Sequence, residues 1–97
     1  MARLLVVEDD LGVRTTIVTF LECEGYEVDA VSSTQEAIER LATHSYPIVI
    51  SDIYLDERTG LDVLEAARAK DPRCAVILMT ARGSMETVMA ATRGGAF

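Results

Sequence analysis

Leu4-Leu5-Val6-Val7-Glu8-Asp9-Asp10 is the stretch from which the rest of the chain can be read. Four apolar residues in a row, without alternation, have the pattern of a parallel strand covered on both faces, and the acids that follow mark where it ends. The same order returns at Ile48-Val49-Ile50-Ser51-Asp52-Ile53, and a third apolar run, Ala75-Val76-Ile77-Leu78-Met79, closes on Thr80. Tyr26-Glu27-Val28-Asp29-Ala30 differs, because it alternates apolar with acidic residues. That alternation predicts a strand at a sheet edge, with one face on the core and the other in water.

Between the runs the apolar residues recur at helical spacing: Val13, Ile17, Phe20 and Leu21, then Ile38, Leu41 and Ala42, then Leu61 and Leu64, then Met85, Val88 and Met89. Each set predicts one buried stripe, with the methionines as core or interface filler. Ser33 with Glu36 reads as a capping box, Thr59 and Ser84 as N-caps, and Gly25 and Gly94 stand where helices must stop. Alternating strands and helices specify βαβ units, hence an α/β fold with a parallel sheet. Right-handed crossovers and an edge second strand favour the order 2-1-3-4. The fourth run then lies at the other edge, where bare apolar residues invite another chain, so a fifth strand and helix are expected beyond Phe97. The chain reads as one domain over 1–97, incomplete at its C-terminus.

Composition narrows the function. Apolar residues make up 49% of the chain and charged residues 26%, a globular balance. The apolar runs are too short to cross a bilayer and the N-terminus lacks a secretory layout, so a cytoplasmic location is expected. Sixteen acidic against nine basic residues give a net charge of −7, which repels a phosphate backbone and argues against direct nucleic-acid binding. Cys23 and Cys74 lack metal-ligand spacing and read as reduced, half-buried thiols.

In an open parallel sheet, ligands bind beyond the carboxyl ends of the strands, where the strand order reverses. Glu8, Asp9 and Asp10 follow the first strand, Asp52 closes the third, and Thr80 closes the fourth. Any one of these acids could be a helix cap, and Asp10 is read as one. As a set they put mutually repelling carboxylates on one rim, and a hard divalent cation relieves that repulsion. Mg²⁺ takes oxygen ligands and keeps several waters, and phosphoryl transfer uses such an ion to neutralise charge. Asp52 is then the candidate nucleophile, with Thr80 placed to bond the arriving phosphoryl group.

The motifs Leu4–Asp10, Ile48–Ile53, Gly60-Leu61 and Ile77-Leu78-Met79-Thr80-Ala81 resemble the response-regulator receiver family over the whole chain. The resemblance implies a flavodoxin-like, doubly wound fold and phosphoryl transfer from a histidine kinase or phosphotransfer protein onto Asp52. It implies Mg²⁺ held by Asp9, Asp52 and the backbone carbonyl of Tyr54, with Glu8 assisting through water and Thr80 as the switch hydroxyl. It also implies an output domain in the full-length protein, leaves room for a homodimer, and involves no catalysis beyond self-phosphorylation and self-dephosphorylation. The run Thr92–Phe97 is similar to receivers of the nitrogen-regulator type, whose full-length proteins carry an ATPase and a DNA-binding domain. Tyr54 and Arg82, each two residues past Asp52 and Thr80, are expected to flank the path of a hydrolytic water and to modulate phosphoryl lifetime.

Two departures stand out. Asp56 occupies the position where the family usually has proline, and the family's phosphate-binding lysine and aromatic switch residue belong to the fifth strand. The single lysine, Lys70, falls at the end of the third helix and is not expected to reach the rim, so phosphorylation of the 97-residue chain is expected to be slow or uncoupled. Two other functions fit the sequence less well. A receiver-like interaction module that works without phosphorylation should have a broken acid set, whereas Asp9, Asp52 and Thr80 are intact. A Mg²⁺-dependent hydrolase should show an Asp-x-Asp spacing, whereas position 54 is Tyr. His44, the only histidine, reads as a helix-end residue.

Overall fold

Four consecutive apolar residues can all be buried only if both faces of their strand are covered, and Leu4 through Val7 are all buried in the first strand, β1 (Arg3–Val7). The computed structural model describes residues 3–52 and 60–79. After β1 come α1 (Leu11–Cys23), β2 (Glu27–Val31), α2 (Thr34–Thr43), β3 (Ile48–Asp52), α3 (Gly60–Lys70) and β4 (Ala75–Met79). All strand pairs are parallel and the order is β2-β1-β3-β4, as the alternation of elements predicts. In register, Leu5 lies between Asp29 and Val49, and Val49 in turn faces Val76.

One face of the sheet is closed. Leu5, Val7, Val31, Val49 and Val76 pack there against Ala37 and Leu41 of α2 and Val63, Leu64 and Ala67 of α3, with Tyr46 and Cys74 completing the core. Each fully buried aliphatic side chain stabilises the fold by about 1.5–3 kcal/mol relative to leaving it exposed. The other face buries Leu4 and Val6, but Ile48 and Ile50 are only half-buried and Ile77 is 39% exposed. Among the described residues, cover on both sides is therefore complete for β1 alone.

Local signals set the element ends. Asp10 caps α1, its Oδ1 accepting from Val13 N at 2.9 Å. Gly25 ends that helix at φ +93°, a conformation costly for any residue with a Cβ. Ser33 caps α2 by accepting from Glu36 N at 3.2 Å, while Glu36 Oε1 accepts from Ser32 and Ser33 hydroxyls. Thr59, Ser84, Gly94 and the stripe of Met85, Val88 and Met89 lie outside the described residues.

The stripes need correction. No residue of α1 is fully buried, and Val13 and Phe20 are exposed, the latter by 64%. Its inner side is Arg14, Ile17, Val18 and Leu21, a pattern of the same period turned slightly around the axis. In α2, Thr34, Ala37 and Leu41 are buried and Ile38 is half-buried, while Ala42 is exposed, so the stripe is turned from the expected Ile38, Leu41 and Ala42. The thiols are not both half-buried: Cys23 is exposed and Cys74 buried, and both are free. No helix among the described residues is long and apolar enough to cross a membrane.

The edge strand also departs from expectation. Its acidic face is only partly wet: Glu27 is exposed, but Asp29 lies on the α2 side, accepting from Tyr46 Oη at 2.6 Å and Arg3 Nη1 at 2.7 Å, with Arg40 at 3.7 Å. The Tyr46 hydroxyl, foremost, and Arg3 hold the Asp29 carboxyl below its usual range. A depressed carboxyl contributes stability above its unfolded pKa and loses it as pH falls through the folded value. Tyr46→Phe should therefore cost about 1–2 kcal/mol near neutral pH and less in acid, as read by urea denaturation at both pH values.

Candidate functional site

β1 and β3 are neighbours, and Val7 pairs with Ser51, so the residues immediately following them emerge on one rim. There Glu8, Asp9 and Asp52 each present a carboxylate oxygen, all within 4.8 Å of one another. Asp52 pairs in register with Met79, which brings the end of β4 to the same rim. Thr80, Tyr54 and Arg82, the other expected participants, lie outside the described residues.

The three acids differ in depth. Glu8 is 4% exposed, Asp52 is half-buried and Asp9 is exposed, so the cluster runs from a closed floor to an open mouth. Glu8 Oε2 is buried without a hydrogen-bond partner among the described residues. Burial first, then a hydrogen bond with Asp52, then the charges of Asp52 and Asp9 push the Glu8 carboxyl up to about 7. An ionised Glu8 here is deficient in positive charge.

The floor is nonetheless firmly built. Glu8 N donates to Val31 O at 3.1 Å, tying the turn to the end of β2. Arg14 Nη1 donates to Glu8 O at 2.8 Å, and Asp10 is occupied with its cap. A Cβ at Gly12 would come within 3.3 Å of Asp10 Oδ1, the same capping oxygen, so the bare glycine keeps that turn tight. Buried Ser51 satisfies its own hydroxyl on Asp52 O at 2.9 Å. Asp10 is thus a cap, as expected, and stands apart from the cluster.

Basic side chains elsewhere serve other ends. Lys70 Nζ reaches Ala42 O at 3.4 Å, a carbonyl near the end of α2, in line with its exclusion from the rim. His44 is the C-cap of α2 and its Nδ1 lies 2.8 Å from Thr43 Oγ1. The sequence reading overlooked Arg14, whose signal is a basic residue one helical turn past the acidic turn.

An all-oxygen cluster with a buried acceptor unpartnered among the described residues suits a hard divalent cation, to which carboxylates offer charge while water completes the shell. A parallel sheet in the order 2-1-3-4, with its polar residues gathered at the strand ends, defines a flavodoxin-like α/β protein whose chemistry belongs to that rim. The chain belongs to the response regulator receiver domain family, whose model matches residues 4–97. It is a receiver domain of the two-component response regulators.

The relatives agree. The chain is 35% identical over 96 residues to the transcriptional regulatory protein GlrR of Escherichia coli, covering 99% of this chain and 22% of that protein. It is 36% identical over 95 residues to the response regulator protein FleR of Pseudomonas aeruginosa, covering 98% and 20%. It thus spans about a fifth of the length of these relatives. Among solved structures, the CheY-like receiver domain protein of Methanospirillum hungatei superposes with a TM-score of 0.94 at 28% identity, covering 99% of this chain and 77% of that one. The receiver domain protein of Clostridium thermocellum gives 0.91 at 30% identity, covering 100% and 79%.

Proposed function

We propose that the chain accepts a phosphoryl group on Asp52 and that Mg²⁺ is held at Glu8, Asp9 and Asp52. The observation that carries this reading is the convergence of three carboxylates from the ends of two adjacent strands to within 4.8 Å. Asp9 and Asp52 would bind the ion directly, with Tyr54 lending a backbone carbonyl and Glu8 acting through water. Mg²⁺ would supply positive charge to the transferring phosphoryl oxygens.

The chain's own part is positional. A carboxylate oxygen of Asp52 attacks phosphorus, the bond from phosphorus to the donor's imidazole nitrogen breaks, and the electron pair leaves with the imidazole. Asp52 is half-buried at the end of β3, which leaves part of its side chain accessible to a donor. Thr80 would then bond the phosphoryl group, while Tyr54 and Arg82 would slow its hydrolysis. Apart from forming and losing this phosphate, the domain would catalyse nothing.

Partners follow from the same reading. A histidine kinase or phosphotransfer protein would donate, and an output domain elsewhere in the full-length cytoplasmic protein would respond. The name of GlrR as a transcriptional regulatory protein, with the nitrogen-regulator resemblance, supports an output in transcription. A phosphorylated homodimer is compatible with it.

Treating the protein with a small acyl phosphate tests the reading. Mass spectrometry should find one acid-stable, base-labile phosphoryl group on the peptide containing Asp52, formed only with Mg²⁺. Equal labelling in a chelator, or labelling on another residue, would sink it.

A further inference from the structure

We propose that Arg14 is a positioning residue of this rim, fixing the peptide between Glu8 and Asp9 so that both carboxylates address one divalent cation. The inference rests on the reading of the rim as a Mg²⁺ site and adds a residue to it. Its basis is the bond from Arg14 Nη1 to Glu8 O at 2.8 Å. That oxygen belongs to the peptide plane joining Glu8 to Asp9, so holding it limits rotation on both sides of the plane.

The surrounding bonds give the contact its leverage. Glu8 N is fixed on Val31 O at 3.1 Å, and Asp10 Oδ1 on Val13 N at 2.9 Å. Between these two anchors lies the peptide joining Glu8 to Asp9, and Arg14 holds its oxygen. The same residue also donates its main-chain N to Asp10 O at 2.9 Å, so one helical position grips both ends of the acidic turn. Arg14 is half-buried on the inner side of α1, while Val13 beside it is exposed. The helix therefore presents an arginine to the turn in place of an available apolar residue.

Two physical effects of Arg14 predict opposite signs, which makes the inference testable. As a bare charge beside three acids, the guanidinium repels a cation, and its removal would tighten Mg²⁺ binding. As a positioning group, its removal lets the turn wander and weakens binding; supporting groups of this kind are commonly worth about tenfold in metal affinity or more.

The experiment measures Mg²⁺ affinity of the parent, Arg14→Gln and Arg14→Lys proteins by amide chemical-shift titration, with thermal midpoints in chelator and in saturating Mg²⁺. Arg14→Gln should bind about tenfold more weakly. Arg14→Lys, which keeps a donor for the carbonyl, should recover most of the loss. The rise in thermal midpoint on adding Mg²⁺ should shrink in Arg14→Gln, whereas a purely structural role would lower both midpoints equally and leave the rise unchanged. Unchanged or tighter binding by Arg14→Gln, or an unchanged rise, overturns the positioning role alone. A parent protein whose rim amides ignore Mg²⁺ overturns the metal-site reading and this inference together.

Discussion

Asp52→Asn should take up no phosphoryl group from an acyl phosphate, and in the absence of Mg²⁺ it should be more stable than the parent by about 1 kcal/mol. The first effect follows from the nucleophile: a neutral amide oxygen lacks the charge that attacks phosphorus, so labelling should fall below detection rather than merely slow. The second follows from the cluster. Asp52 lies among carboxylates and is, after burial itself, the main cause of the raised Glu8 carboxyl, through both its hydrogen bond and its charge. Replacing it with a neutral isostere removes a repulsion and leaves a side chain that still accepts a hydrogen bond. Urea denaturation in chelator, paired with phosphoryl labelling, checks both halves. If Asp52 served the fold, the substitution would destabilise the protein; a less stable, still labelled variant would refute its role as acceptor.

Much of this arrangement was legible because the strands are unambiguous. Leu4–Val7 cannot be read as an amphipathic helix, and acids directly after it and after Ser51 place the rim from the sequence alone. The order of strands came from an edge assignment that was right for a partly wrong reason. Asp29 marks an edge strand, but it turns inward to Tyr46 and Arg3, partners 17 and 26 residues away in sequence. Alternation reports that two faces differ. It does not report that an acid has found a hydroxyl and a guanidinium.

Helix α1 shows the same limit. Val13, Ile17, Phe20 and Leu21 and the observed Arg14, Ile17, Val18 and Leu21 share a period and differ by a small rotation. Hydrophobicity favours the first set, and tertiary contact selects the second. The carbonyl of Glu8 takes Arg14 at 2.8 Å, a polar attraction that a count of apolar residues does not register. Membership of the acid cluster was likewise readable from strand ends, but depth was not. Glu8 and Asp9 are adjacent in sequence, yet one is the floor and the other the mouth, because β1 buries whatever follows Val7 against the end of β2.

That floor makes the protein's stability depend on pH. Glu8 is pushed up to about 7 in the folded state from an ordinary value of 4.5. Between those values the folded protein keeps a proton that the unfolded chain releases. The associated stability is fully present below the unfolded pKa and is lost as pH rises through the folded one. Without divalent cations, stability should therefore fall by on the order of 2–3 kcal/mol between about pH 5 and pH 8. Saturating Mg²⁺ should reverse the slope, because the ion requires ionised carboxylates and binds them better as pH rises. Glu8→Gln should flatten the chelator curve, since a neutral amide carries no proton to lose. Guanidinium denaturation of both proteins across this range, in chelator and in Mg²⁺, measures all four curves. A parent protein whose stability rises with pH in chelator would show that Glu8 is ionised without help, and the unpartnered oxygen at the floor would then need no cation.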